Sequence, residues 1–73
     1  MATPHDALTE VPHLLLRRPV RDIASGTKGT LMAVLVENTS SADFPERWAE
    51  IAYIRPDGGG VELSTAVANV EAL

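Results

Sequence analysis

No cysteine occurs anywhere in this 73-residue chain, and that one absence closes three routes together. Disulfide staples, thiolate metal sites and cysteine nucleophiles all need the sulfur. A reducing compartment, the cytoplasm, suits a chain in which nothing depends on oxidation. Aromatic residues are nearly as scarce: Phe44, Trp48 and Tyr53 are the whole set. The two histidines, His5 and His13, stand apart with Pro12 between them, at a spacing that no helix or strand turns into a metal site. Lysine and arginine number 6 against 10 acids, a formal charge of −4. A phosphate backbone is repelled by such a surface unless the cations gather locally. Long apolar runs are missing as well. The longest, residues 31–36, is far short of the ~20 residues that cross a bilayer. The polar first ten residues do not read as a signal peptide.

What is present is a globular balance, 45% hydrophobic and 22% charged. At this size a chain buries only about 60% of the surface that its unfolded form exposes. The core must be thin and aliphatic. Association with a second copy is one way to add the missing buried area.

Residues 1–12 read as an N-terminal arm. Thr3-Pro4-His5-Asp6 carries a capping hydroxyl, a proline for the first helical position and a first-turn acid, so the arm is expected as flexible or as one helical turn. From His13 the pattern changes to strands. His13-Leu14-Leu15-Leu16-Arg17-Arg18 suits a first strand ended by Pro19, which has no amide proton for a ladder. The glycines of Ser25-Gly26-Thr27-Lys28-Gly29-Thr30 mark a compact turn. Residues 30–37, apolar on both faces, read as a central strand. A polar loop, 38–46, leads to an alternating strand at 47–55 whose uncharged face, Ala49, Ile51 and Tyr53, is expected to point inward. Asp57-Gly58 signals a hairpin through the positive φ that tight turns need, and residues 61–66 form the returning strand. Ala68-Asn69 makes a short turn before a last strand at 70–73. Five short strands in about sixty residues predict an all-β fold, a small barrel.

That order, with Gly26-Thr27-Lys28-Gly29-Thr30-Leu31 and then Ala49-Glu50-Ile51-Ala52-Tyr53-Ile54-Arg55-Pro56-Asp57-Gly58, resembles a family of short bacterial SH3-like barrel proteins of unknown function. The family has a Gly-x-x-Gly-x-aliphatic turn and a V-x-F-x-x-x-D-G strand, and Ile51 and Tyr53 stand at its two apolar positions. The resemblance covers residues 14–73 and implies a five-stranded SH3-like barrel over 13–73, with no function attached. The 38–46 loop is longer than the family leads one to expect. Trp48 and Ala68-Asn69-Val70 also stand where peptide-binding SH3 domains keep a Trp and an Asn-Tyr pair, but the tyrosines of a proline-binding groove are missing near the first strand.

Catalytic patterns are not found. Lys28 precedes the second glycine of its loop and a strand follows, so the loop lacks the lysine placement and helix of a phosphate-binding loop. The carboxylates are spread singly, with no pair in contrasting surroundings. The sequence therefore predicts no catalytic residue, metal or cofactor. It predicts a binding module for another protein, with a basic partner suited to the acidic chain. An antitoxin or immunity-type neutraliser, or an accessory subunit of an enzyme, fits this description. Trp and Arg are the residues that anchor interfaces, so the expected surface is Phe44 and Trp48, joined by the Arg17, Arg18 and Arg21 cluster. The alternative is a KOW-like nucleic-acid-binding domain working through Arg17, Arg18 and Lys28.

Overall fold

A computed structural model describes residues 9–38 and 47–73. The described chain is all-β: six strands in a single antiparallel sheet. They are β1 (Thr9–Glu10), β2 (Pro19–Asp22), β3 (Lys28–Asn38), β4 (Trp48–Pro56), β5 (Leu63–Ala66) and β6 (Val70–Ala72), with a 3-10 turn, Val67–Asn69, before the last. The order across the sheet is β5-β4-β3-β2-β6, and β1 lies in line with β2 along the same flank of β3. Most of the expected arm, residues 1–8, lies outside the described residues. Its inner end is strand, since Thr9 and Glu10 pair with Val36 and Leu35.

Both ends of the sheet order are sequence neighbours. Five strands laid flat would hold β5 and β6 about 19 Å apart, whereas a three-residue 3-10 turn advances only about 6 Å. The sheet must therefore curl to bring its ends together. No ladder joins β5 to β6 among the described residues, and polar contacts cross the gap instead. Thr65 Oγ1 donates to Asp22 Oδ1 at 2.9 Å, Asn69 Nδ2 donates to Thr65 Oγ1 at 3.1 Å, and the Ile23 amide donates to the Asn69 carbonyl at 2.9 Å.

The expected first strand, residues 13–18, is a turn, and the strand begins at the proline that was to end it. Two prolines remove the ladder's donors at 12 and 19. The chain leaves β3 at Val11, whose amide donates to the Val34 carbonyl, and rejoins it at Arg17 and Arg18: the Arg17 amide donates to the Leu31 carbonyl at 2.7 Å and the Arg18 carbonyl accepts the Leu31 amide at 3.1 Å. Between these points His13 builds the excursion: its Nδ1 accepts the Leu15 amide at 3.0 Å and its carbonyl accepts the Leu16 amide at 3.2 Å. Arg17 closes it at φ 67°, an uncommon value for a residue with a side chain. Leu15 and Leu16 pack against the core, while Leu14 stands 94% exposed.

The core is as thin as the composition implies: Val20, Leu31, Val34, Ala52 and Ile54 are fully buried. On β4 the inward residues are thus Ala52 and Ile54, and the Ala49, Ile51 and Tyr53 face points outward, the reverse of the expectation. The reason lies in β3. Leu31 opposes Ile54 and Val34 opposes Ala52, an odd spacing of inward residues that only the register shift at Met32 allows. Glu50 shares the inward parity, but it is exposed.

The 57–62 hairpin is looser than expected. Its positive φ values fall at Gly59 and Gly60 rather than at Asp57-Gly58, and Val61 is exposed outside the returning strand, which starts at Leu63. Gly29 is fixed by close approach. A Cβ there would lie 2.1 Å from the Arg55 carbonyl oxygen.

Candidate binding surface

Among the described residues, the outermost pairing of β1 is Thr9 with Val36 and that of β5 is Ala66 with Ile51. Past those points β3 and β4 continue alone among the described strands, ending on the pair Asn38–Trp48. Trp48 is 44% exposed, and Glu50, two residues along, shares its side of the ribbon. Glu37 and Glu10 lie at the same end on the opposite side, by register. Three acids, Glu10, Glu37 and Glu50, and one arginine, Arg47, thus lie at the end that carries this open indole. Phe44, the other aromatic expected here, lies outside the described residues.

The arginines are elsewhere. Arg17 and Arg18 sit exposed on the excursion beside Leu31, seven residues along β3 from Asn38, which is about 23 Å of strand. Arg21 pairs with Glu71, its cross-strand neighbour on β6, so its charge is already engaged. Trp48 and the arginine cluster therefore do not form one surface.

Two side-chain arrangements escaped the sequence reading. The first is Asp22, which is 2% exposed. It accepts from the Ser25 hydroxyl at 2.6 Å, the Ser25 amide at 3.1 Å and Thr65. The Ser25 hydroxyl bond, with the Thr65 and backbone bonds, holds its carboxyl below the usual carboxylate range against the opposing effect of burial. The signal was an Asp three residues before a Ser at a glycine turn. Thr27 joins through Ser25 Oγ at 2.9 Å, so the network fixes the 22–27 turn. The second arrangement is Tyr53, whose hydroxyl donates to Glu37. That bond and burial, with the charges of Glu37 and Glu62, push the phenol up to about 12. Tyr53 stands opposite Ala33 and Glu37 lies four residues further along β3, so the ring lies along the sheet past Leu35.

Among the described residues no three His, Asp or Glu side chains gather to hold a metal, and no helix is long and apolar enough to cross a membrane. Comparison with protein-family models, curated proteins and solved structures finds no match. The fold therefore defines the class, a small single-sheet all-β protein.

Proposed function

We propose that this chain is a small non-catalytic protein-binding module, an SH3-like barrel whose surface is the Trp48 end of the β3–β4 ribbon. The barrel reading is supported by the strand order and by the 3-10 turn that joins the two end strands. The binding reading is carried by one observation: a large aromatic, 44% exposed, at the end of the β3–β4 ribbon, beyond the last pairing of the described neighbouring strands. Leaving an indole in water forgoes roughly 2 kcal/mol of burial, and a partner's surface would recover it.

The partner is another protein with a basic face. Glu10, Glu37 and Glu50 lie at this end with one cation, Arg47 beside Trp48, while Arg17, Arg18, Arg21, Lys28 and Arg55 lie at the other. Screening at physiological salt acts over about 8 Å, so the near acids set the field that an approaching partner meets. A neutraliser of a basic toxin, or an accessory subunit of an enzyme in the cytoplasm, fits this chemistry. The test is affinity for the protein that co-purifies stoichiometrically from the native host. Trp48→Ala and Phe44→Ala should each weaken it at least tenfold, and Arg17→Ala should leave it unchanged. Equal affinity in Trp48→Ala would overturn the surface.

A further inference from the structure

Asp57 and Gly58 form the centre of the turn that leaves β4. The Gly59 amide donates to the Pro56 carbonyl at 3.1 Å, which makes residues 56–59 a β-turn around them. The Asp57 amide donates to the Lys28 carbonyl at 3.0 Å and so ties the incoming side of the turn to β3. Both central residues are exposed. Among the described residues the Asp57 carboxylate has no hydrogen-bond or ion-pair partner, and the Gly58 amide donates to nothing.

Those two free groups are one bond-forming step apart. The Gly58 nitrogen can close a five-membered ring on the Asp57 carboxyl carbon. A side chain on the residue that supplies the nitrogen crowds this approach, and glycine has none. Asp22 gives the contrast within the same chain. Its carboxylate is 2% exposed and accepts from Ser25 and Thr65. The amide that follows it, that of Ile23, donates to the Asn69 carbonyl at 2.9 Å. Ile23 is also β-branched, so neither reacting group is free there.

We propose that Asp57 is a site of spontaneous covalent modification, isomerising to isoaspartate through a cyclic imide in the folded protein. Water is the only co-reactant. In the neutral acid, the Gly58 nitrogen bonds to Asp57 Cγ, and the Cγ hydroxyl leaves with the amide proton as water. Water then adds to one of the two imide carbonyls. Opening at Cγ restores aspartate. Opening at the main-chain carbonyl breaks its bond to nitrogen, so the chain now runs through Cγ and the α-carboxylate becomes the branch. The mass is unchanged, and nothing is oxidised or reduced.

The new linkage adds one atom to the main chain inside the ring that the Gly59–Pro56 bond closes. That bond is lost, but residues 57–62 lie outside any strand, so β5 keeps its register. Asp57 lies at the opposite end of β4 from Trp48, and its chemistry does not depend on the binding surface.

Incubation of the full chain at pH 6 and 37 °C, then peptide mapping with fragment ions that locate the β-linkage, reads the reaction. Isoaspartate should accumulate at residue 57 at least tenfold faster than at residue 22. Gly58→Ala, whose Cβ would meet nothing within 4 Å, keeps the fold and should slow the reaction at least tenfold. Asp57→Glu, which would need a six-membered ring, should form none. Sucrose favours the folded state and should leave the rate at residue 57 within about twofold. Absence of isoaspartate at residue 57 would overturn the proposal, as would equal rates at residues 57 and 22 or in parent and Gly58→Ala. A rate that falls with sucrose in step with the unfolded fraction would overturn it as well.

Discussion

Tyr53 shows how much of one residue's behaviour comes from its neighbours rather than its type. Its hydroxyl is committed to the Glu37 carboxylate, and ionising it would set two negative charges against each other. The phenol should therefore titrate near 12, and Glu37→Gln should bring it back toward the ordinary ~10. Phenolate absorbance against pH measures both, and an unchanged midpoint in the variant would refute the bond. The linkage has a definite sign. The folded value lies above the unfolded one, so this contribution to stability is complete below about pH 10 and is lost as pH rises through about 12. The sequence offered no hint of the pairing, because Glu37 and Tyr53 are 16 residues apart and meet only through the β3–β4 register.

The elements were legible in their type more than in their facing. The apolar run in β3 and the alternation in β4 announce two long paired strands, and both are present. Which face of β4 turns inward was not legible, because the extra residue at Met32 shifts the register and nothing local marks it. The first strand was misplaced for a different reason. Three leucines in a row look like a strand, but a histidine ring that accepts a backbone amide turned them into a loop. Gly29 belongs to this scale too. Gly29→Ala should cost at least 3 kcal/mol, the upper end of overpacking, because the Cβ would strike the Arg55 backbone, which has no rotamer to yield. Gly58→Ala, with nothing within 4 Å, should stay within ~0.5 kcal/mol of the parent. Urea midpoints for the two variants compare them, and equal midpoints would refute the close approach.

At the scale of the molecule, the five-strand rhythm and the short turn before the last strand carried the architecture, and the thin core followed from composition. What composition could not show is that one carboxylate helps tie the curled sheet's two ends. Asp22→Ala removes the acceptor for Ser25 and Thr65 and should cost roughly 2–3 kcal/mol, as for other charged hydrogen bonds lost from a covered site. Its folded value lies below the unfolded ~3.9. This stability is therefore present above that pH and is lost as pH falls through the folded value. Asp22→Asn, which cannot ionise, should lose part of the acid slope in urea midpoints taken from neutral pH downward. An acid slope identical to the parent's would refute the assignment. The sequence reading joined Trp48 to Arg17, Arg18 and Arg21, but seven residues of strand divide Trp48 from Arg17 and Arg18, a separation that only the strand pairing reveals.

The turn at residues 13–18 also has a consequence for what can be added to this protein. Both of its ends are pinned to β3, through Val11 and Arg18, so the ladder does not read the length of chain between them. Closing a longer loop is cheap, about 0.6 kcal/mol for each doubling, and Leu14 at its tip touches almost nothing. A foreign peptide spliced in at Leu14 would ride on a frame whose strands never shift to accommodate it.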